Sequence, residues 1–318
     1  MSKRCLYCYE QLEEGLKDFH PNCSQAFFGT GEPPELGYSL EQMAEVAAAS
    51  VQRSVTVPGV QPKLSLTLVK DTLANGNKKR LTIMGTLGGN YILKPPHADY
   101  PEMPQNEHLT MRMAESFGLS VVQSSMIRLS SGELAYITKR IDRTAEGEKI
   151  HMLDMFQILE AFDKYKSSME KVGKAISTYA ANTMLDLLNF YELTIFCFLT
   201  GNNDMHLKNF SMITRNGSWD LAPAYDLLNV TIVNLGDKEE LALTLTARKS
   251  KLNRDRFIEF GQNLGLTARQ MDGVFKRLER NKEKAIDLIG TSFLSDKYKK
   301  KYLAVLNERY DRIKGPSH

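Results

Sequence analysis

The sequence has little net charge and no long apolar run. Its 318 residues carry a formal net charge of +3, with 42% hydrophobic and 25% charged residues, which are ordinary values for a globular protein. So small a charge does not indicate a nucleic-acid binder, and we expect no direct nucleic-acid binding. The most apolar stretch, 184–199, contains Asp186, Asn189 and Glu192 and is shorter than the ~20 residues that cross a bilayer. It predicts a buried helix and no membrane partner.

The chain also lacks several familiar signals. Its first residues, MSKRCLYCYEQ, contain no apolar segment of the kind that directs secretion. We therefore expect a cytoplasmic location, where thiols stay reduced. The sequence has no internal repeat, no Walker motif and no G-x-G-x-x-G motif, so any case for nucleotide binding has to rest on other residues.

Cysteine is scarce, and three of the four cysteines fall within the first 23 residues. Cys5, Cys8, His20 and Cys23 have the types and compact spacing of a tetrahedral zinc site. A segment this short has little core of its own, so a metal would organise it, and its phenylalanines offer an apolar docking face. A redox Cys-x2-Cys pair and plain surface thiols remain alternatives.

Strand and helix patterns divide the chain into three parts. We predict a Cys/His segment at 1–30, a strand-rich lobe at 38–145 and a helical lobe at 146–318. A strand-rich half followed by a helical half indicates an α+β fold with two lobes, and a cleft between lobes is the usual ligand site. The predicted strands are 64–69, 81–86, 90–94, 121–129 and 133–139, and the predicted helices are 40–50, 105–117, 152–163, 167–176, 182–199, 254–264, 267–289 and 296–313.

The most informative stretch is 200–226, which contains Asp204, Asn209 and Asp226. Asp-x4-Asn is the spacing of the catalytic loop of protein kinases, where the Asp orients the attacking hydroxyl and the Asn holds magnesium. Oxygen ligands of the Asn and Asp type suit magnesium. The stretch therefore predicts Asp204 as the catalytic residue and Asn209 and Asp226 as magnesium ligands.

A hairpin explains how Asn209 and Asp226 would meet. Residues 210–213 alternate apolar and polar, and Asn216-Gly217 is a strong type I′ turn signal because both central residues need a positive φ. Residues 219–222 form the return strand, which brings the chain back beside Asn209. The alternative is an ordinary polar loop with an Asx turn at 202–204.

Two basic residues in the strand-rich half are candidates for phosphate contacts. Lys94 ends an apolar strand, as the phosphate-pairing lysine of kinases does, and Glu107 in the next helix is its expected partner, ahead of Glu102. Lys63 follows Gly59 in a loop where backbone N–H groups would approach a phosphate. A solvent-exposed Lys94 and a simple turn with a surface lysine at 63 are the alternatives.

Seven blocks of this sequence together resemble the HipA family of serine/threonine kinases from bacterial toxin–antitoxin systems. The blocks are 57–65 (VPGVQPKLS), 91–95, 106–107, 138–143, 151–157, 201–211 (GNNDMHLKNFS) and 224–228 (AYDLL). The resemblance covers roughly residues 50–300, and the order and variety of the blocks make it specific. It implies a bilobal, protein-kinase-like fold.

The resemblance also implies residue roles. Asp204 would be catalytic, and Asn209 and Asp226 would hold Mg²⁺. The nucleotide-binding residues would be the phosphate-side loop Pro58, Gly59, Val60, Gln61, Pro62 and Lys63, the pair Lys94 and Glu107, the adenine hinge Lys139, Arg140 and Ile141, and the lining residues His206 and Tyr225. The family phosphorylates itself on a serine just before the glycine loop. Thr56 occupies that position here, with Ser54 two residues earlier.

The expected function follows from these residues and the resemblance. We expect an ATP- and Mg²⁺-dependent serine/threonine kinase acting as a toxin, with an aminoacyl-tRNA synthetase as the implied substrate. The implied partners are a HipB-like DNA-binding antitoxin and a separate small protein that supplies the family's N-terminal subdomain. The alternative is a nucleotide-binding pseudokinase that acts through a partner. A zinc-dependent nucleic-acid module is disfavoured by the small net charge.

Overall fold

The structure is a computed structural model that describes residues 4–53, 63–70, 79–84 and 88–315. Two compact units are interleaved along the chain. The first comprises Met1–His108, Val122–Lys149 and Thr291–Phe293, and the second comprises Leu109–Val121, Ile150–Gly290 and Leu294–His318. The domain bounds expected from the sequence stay a prediction. Several predicted site residues lie outside the described part, namely Ser54, Thr56, Pro58, Gly59, Val60, Gln61 and Pro62.

The first unit is built on a five-stranded antiparallel sheet. Its strands are β1 (Leu64–Lys70), β2 (Lys79–Ile83), β3 (Tyr91–Lys94), β4 (Ser124–Arg128) and β5 (Leu134–Lys139), in the order β2-β1-β3-β5-β4. Two helices precede the sheet, α1 (Pro21–Phe28) and α2 (Leu40–Arg53), and α3 (Met103–Ser116) begins in this unit. Leu93 pairs with Ile137 across β3 and β5, and both side chains are fully buried. In β4 and β5 consecutive residues are buried, so apolar side chains on both faces of these strands contribute to the core.

The second unit is mainly helical, with a small sheet. Its helices are α4 (Met155–Ile158), α5 (Met169–Tyr179), α6 (Thr183–Leu199), α7 (Arg254–Asn263), α8 (Ala268–Arg280), α9 (Lys282–Thr291) and α10 (Asp296–Ile313). The strands β6 (Met152–Asp154), β7 (Ser211–Arg215) and β8 (Ser218–Leu221) form an antiparallel sheet in that order. The prediction of a strand-rich half and a helical half is therefore confirmed.

Helix α6 is the buried helix expected from the apolar stretch, and its acidic residues have partners. Asp186 accepts a hydrogen bond from the Leu221 backbone N–H at 2.9 Å. Glu192 receives two hydrogen bonds from Arg277, each of 2.6 Å. Because buried charges are costly unless they are paired, these contacts allow α6 to lie in the core. No helix in the described part of the chain is long and apolar enough to span a membrane.

Two predicted helices differ from the structure. The helix expected at 152–163 begins instead as β6, because Asp154 forms a capping box with Gln157 and starts α4 only at Met155. The helix expected at 267–289 is divided into α8 and α9 at Asn281. The Asn281 side-chain amide donates to the Arg277 carbonyl, a local hydrogen bond that competes with the helical backbone pattern.

Candidate functional site

The loop after α6 carries Asp204 on a turn held by its own side chains. Asn202 Oδ1 accepts a hydrogen bond from the Asp204 N–H at 3.3 Å, so the Asx turn considered as an alternative is present. Asn203 anchors the loop from the other side, since its amide donates to Asp237 and to the Glu239 carbonyl at 3.0 Å each. The turn and these anchors fix the backbone from which Asp204 projects.

Asn209 is joined to Asp204 by a direct hydrogen bond. Residues Leu207–Asn209 form a single 3-10 turn, and the Asn209 side-chain Nδ2 donates to the Asp204 carbonyl at 2.9 Å. This bond orients the amide so that Oδ1 is the atom left for a ligand. An amide oxygen is a suitable donor for Mg²⁺, so the orientation fits the predicted role of Asn209.

The predicted hairpin is confirmed in detail. Asn216 and Gly217 have φ values of +49° and +79°, as a type I′ turn requires, and they connect Arg215 to its cross-strand partner Ser218. At the other end of the hairpin the Ala222 N–H donates to the Ser211 carbonyl at 2.8 Å. The return strand therefore ends beside Ser211, which is two residues after Asn209 in the sequence. The hairpin thus brings the chain back beside Asn209, as the sequence predicted.

Tyr225 ties the residues after the hairpin to the loop that carries Asn209. Its hydroxyl donates to the Lys208 carbonyl at 3.0 Å and contacts Ser211 Oγ at 2.5 Å. Burial raises the pKa of Tyr225, so the phenol keeps its proton for these bonds. The next residue, Asp226, has a left-handed backbone with φ of +57°. The two bonds of its hydroxyl therefore hold Tyr225 against the Lys208–Ser211 segment, and Asp226 follows directly after it.

His206 lies buried between the charged groups of this site. Lys164 Nζ lies 2.9 Å from His206 Nε2, and because an ammonium group only donates, Nε2 accepts and Nδ1 carries the ring proton. Burial lowers the pKa of His206, while the charge of Asp204 acts in the opposite direction, so the ring is neutral. Nδ1 has no hydrogen-bond partner among the described residues, which makes it a buried donor for an incoming oxygen.

In the first unit, Lys94 and Glu107 form a buried ion pair. Lys94 Nζ donates to Glu107 Oε1 at 2.6 Å, and the two side chains are only 4% and 1% exposed. The Lys94 ammonium also lies 5.4 Å from the centre of the Tyr136 ring. The alternative of a solvent-exposed Lys94 is therefore wrong, whereas Lys63 lies on the surface. For both lysines a role in phosphate binding stays a prediction.

The predicted hinge residues are partly engaged within the protein. The Lys139 N–H donates to the Gln123 carbonyl at 2.9 Å and the Arg140 N–H donates to the Asn90 carbonyl at 2.8 Å. Lys139 Nζ donates to Gln123 Oε1 at 2.7 Å, and burial lowers the pKa of Lys139. A purine at this position would therefore meet the Ile141 backbone or the carbonyl groups rather than the first two N–H groups.

The four predicted zinc ligands are brought together. Their ligand atoms all lie within 4.8 Å of one another, and His20 Nδ1 lies 3.5 Å from Cys8 Sγ and 3.8 Å from Cys23 Sγ. His20 Nε2 lies 3.0 Å from the Gln11 carbonyl, which leaves Nδ1 as the metal-facing nitrogen. The cysteines are free thiols, and this set fits a tetrahedral thiolate and imidazole site.

The segment that carries these ligands packs against the sheet of the first unit. The Leu6 carbonyl accepts a hydrogen bond from the Met126 N–H at 3.3 Å, and Asp18 pairs with Arg128 at 2.7 Å. Phe27 and Phe28 contact the Tyr91 ring, with centroid distances of 5.8 Å and 6.1 Å. The predicted apolar docking face is therefore present, and it packs against the sheet.

A family model for the HipA-like C-terminal domain matches residues 55–286. The chain belongs to this family. A putative kinase of Haemophilus influenzae is 28% identical to it over 86% of this chain and 88% of that protein. The putative kinase Y4dM of Sinorhizobium fredii is 31% identical over 71% of this chain and 56% of that protein. The serine/threonine-protein kinase toxin HipA of Shewanella oneidensis is 27% identical over 55% of this chain and 43% of that protein. This HipA-like chain therefore spans about half the length of Y4dM and of the Shewanella oneidensis toxin.

Solved structures agree on the fold. The Shewanella oneidensis HipA chain, solved with HipB and operator DNA, matches with a TM-score of 0.66 and 21% identity over 88% of this chain and 73% of that one. The Helicobacter pylori proinflammatory kinase CtkA matches with a TM-score of 0.53 and 15% identity over 73% of this chain and 90% of that one. The predicted α+β, protein-kinase-like fold and the resemblance to the HipA family are confirmed.

Two residues that contact the site were not predicted from the sequence. The Tyr165 hydroxyl donates to Asp204 Oδ1 at 2.8 Å, and Lys164 contacts His206 as described above. Both residues lie between α4 and α5, about 40 positions before Asp204 and His206, and Lys-Tyr in a polar loop matches no recognised motif. The polar segment AFDKYKSS between two helices predicts only a surface connection.

Proposed function

We propose that this HipA-like chain is an ATP- and Mg²⁺-dependent serine/threonine protein kinase and the toxin of a HipA-type toxin–antitoxin system. The observation that carries the proposal is the hydrogen bond of 2.9 Å between Asn209 Nδ2 and the Asp204 carbonyl, beside a type I′ hairpin that returns the chain to Asp226. This arrangement combines the two residues of a kinase catalytic loop with a carboxylate suited to a metal.

Asp204 would orient the substrate hydroxyl and accept its proton. The hydroxyl oxygen attacks the γ-phosphorus, the bond from that phosphorus to the β–γ bridging oxygen breaks, and ADP leaves with that oxygen. Asn209 Oδ1 and Asp226 would hold Mg²⁺, which when bound neutralises charge on the phosphates. The His206 Nδ1–H, which has no partner among the described residues, would donate to a nucleotide oxygen.

The residues of the first unit would bind the nucleotide. Lys94 is a buried ammonium group held in place by Glu107, which suits a contact with phosphate oxygens. We assign Lys63 and the preceding loop to the phosphates, and the 139–141 segment to the adenine through Ile141. Tyr225 supports the metal-binding segment through its bonds to Lys208 and Ser211.

Phosphoryl transfer tests the proposal directly. When the purified chain is incubated with γ-³²P-ATP and a cell lysate, we expect ³²P on serine or threonine of a lysate protein. Asp204→Asn should reduce this labelling by about 10²–10⁴-fold, as loss of a general base does. Unchanged labelling by Asp204→Asn would contradict the role of Asp204. ATP binding without any transfer by the wild-type chain would identify a pseudokinase.

We also propose the partners that the family suggests. The Shewanella oneidensis structure contains HipA together with HipB and operator DNA, which supports a HipB-like antitoxin for this chain, with a small separate protein supplying the N-terminal subdomain. An aminoacyl-tRNA synthetase is the proposed substrate. Phosphoproteomics after induced expression, compared with Asp204→Asn, should name the substrate, and phosphosites unchanged between the two strains would exclude a kinase role in the cell.

Thr56 or Ser54 is proposed as a site of inactivating autophosphorylation. Incubation with ATP should raise the intact mass by one phosphate, and Thr56→Ala with Ser54→Ala should prevent the gain. A mass gain that persists in the double variant would place the modified residue elsewhere.

Finally, we propose that Cys5, Cys8, His20 and Cys23 bind one structural Zn²⁺. The proposal is supported by ligand atoms within 4.8 Å of one another and by the contact of His20 Nε2 with the Gln11 carbonyl. A metal at this point would fix the turn 5–8 to the start of α1 and so hold the segment in the shape that packs on the sheet.

A further inference from the structure

We propose that Lys164 and Tyr165 form a clip that positions the catalytic loop, with Tyr165 fixing the Asp204 carboxylate and Lys164 fixing the His206 ring. The proposal rests on the proposed kinase function for its consequence and on contacts within the second unit for its geometry. Neither residue belongs to the catalytic set read from the sequence.

The clip is joined to the loop by both backbone and side chains. The Leu207 N–H donates to the Lys164 carbonyl at 3.1 Å, which sets the register between the two segments. From that register the Tyr165 hydroxyl reaches Asp204 Oδ1 at 2.8 Å and Lys164 Nζ reaches His206 Nε2 at 2.9 Å. Successive residues of the clip therefore contact two functional residues of the loop.

Ring packing restricts the clip further. The Tyr165 ring lies edge-on to the His206 ring with centroids 5.1 Å apart, and Lys164 Nζ lies 4.8 Å from the centre of the Tyr165 ring. The Asp163 carboxylate accepts a hydrogen bond from the Tyr165 N–H at 2.9 Å. Tyr165 is thus held from its backbone, its ring and its hydroxyl, although 40% of the residue is exposed.

The chemistry of the contact favours a positioning role. A phenol that donates to one carboxylate oxygen leaves the second oxygen to accept from a substrate hydroxyl, and it restricts rotation of the carboxylate about its Cβ–Cγ bond. Burial and the charge of Asp204 both raise the pKa of Tyr165, so the phenol remains a donor at neutral pH. Pre-organised geometry of this kind accelerates a reaction because the groups need not be ordered in the transition state.

Tyr165→Phe isolates the hydroxyl, because it keeps the ring that packs on His206. We expect kcat to fall about 10- to 100-fold, the range expected for a lost hydrogen bond to a charged group, with the Kd for ATP and the melting temperature unchanged. Tyr179→Phe, at an exposed tyrosine of α5, is the matched control and should retain full activity. In an Asp204→Asn background Tyr165→Phe should cause no further loss.

Four outcomes would overturn the clip. Unchanged kcat in Tyr165→Phe, or an equal loss in the Asp204→Asn background, would show that the hydroxyl does not act through Asp204. A higher kcat would identify Tyr165 as an inhibitory plug in the acceptor position. Phosphotyrosine in the wild type that disappears in Tyr165→Phe would identify an autophosphorylation acceptor.

NMR separates failure of the clip from failure of the kinase proposal. With ¹³C-labelled tyrosine, the resonance that is lost in Tyr165→Phe identifies Tyr165. The Tyr165 phenol should ionise at a lower pH in Asp204→Asn than in the wild type. With ¹⁵N-labelled histidine, His206 should be the neutral Nδ1–H tautomer, and Lys164→Met should alter that tautomer. Spectra that do not differ between the variants and the wild type would exclude the clip whether or not the protein transfers phosphate.

Discussion

Lys94 Nζ lies 2.6 Å from Glu107 Oε1, and the two side chains are almost completely buried. The pair thus combines two properties, since each charge compensates the other inside the first unit and Glu107 holds the ammonium group that we assign to the nucleotide phosphates. These properties can be separated by experiment, because a buried pair can often be replaced by apolar residues without loss of stability.

Removing one partner of this pair should destabilise the protein, and removing both should not. Lys94→Met or Glu107→Leu alone leaves an uncompensated buried charge, which costs about 3–5 kcal/mol. The double variant should recover most of that stability in a thermal melt and still lack phosphoryl transfer. Lys300→Met, at an exposed position of α10, is the control. Full activity in the folded double variant would exclude Lys94 from phosphate binding.

Asp226→Asn should raise the Mg²⁺ concentration needed for half-maximal activity. The substitution keeps the shape of the side chain but removes the one negative charge among the two proposed ligands, and Mg²⁺ favours charged oxygen ligands. We expect at least a tenfold increase, with a smaller increase for Asn209→Ala, measured by titrating Mg²⁺ at fixed ATP. Asp99→Asn, at an exposed position of the first unit, is the charge-matched control. An unchanged Mg²⁺ dependence would show that Asp226 is not a ligand.

The parts of the site that the sequence predicted are the parts encoded by local signals. Asn216-Gly217 predicts its turn because few other residue pairs adopt two positive φ values, and the observed angles agree. The pairing of Lys94 with Glu107 follows from a strand-end lysine and the next helix along the chain. The family blocks then predicted the fold that the solved structures share.

The parts that the sequence missed depend on contacts between distant segments. Tyr165 and Asp204 are 39 positions apart, and no periodicity connects a loop tyrosine to a loop carboxylate. The strand β6 was missed for a similar reason. Its three residues pair with β7 across nearly 60 positions, and the apolar Met152 and Leu153 fit equally well with the first turn of a helix.

Gly201 should tolerate alanine far less well than Gly217, although both have a positive φ. At Gly201 a Cβ would lie 2.7 Å from Asn229 Oδ1 and 3.0 Å from Thr231 Oγ1, whereas at Gly217 nothing lies within 4 Å. Gly217→Ala should therefore cost only about 1 kcal/mol of conformational strain. Gly201→Ala should cost more and should also displace the Asn202–Asp204 turn. Thermal melts and kcat report the two effects, and equal melting temperatures would show that the turn relaxes around the new methyl group.

Removing zinc should loosen the Cys/His segment from the sheet of the first unit. We expect about one zinc per chain in protein purified without chelator, and Cys8→Ser should lose it, while Cys197→Ala, at a buried thiol outside the cluster, should keep it. Because the segment carries Asp18 and Phe27, its release would break the Arg128 ion pair and expose the Phe27 ring beside Lys139. Limited proteolysis should then cleave within residues 4–30 of the zinc-free protein and spare the zinc-bound form. A zinc content well below half an equivalent, or equal resistance to protease with and without chelator, would show that packing on the sheet is sufficient to hold the segment.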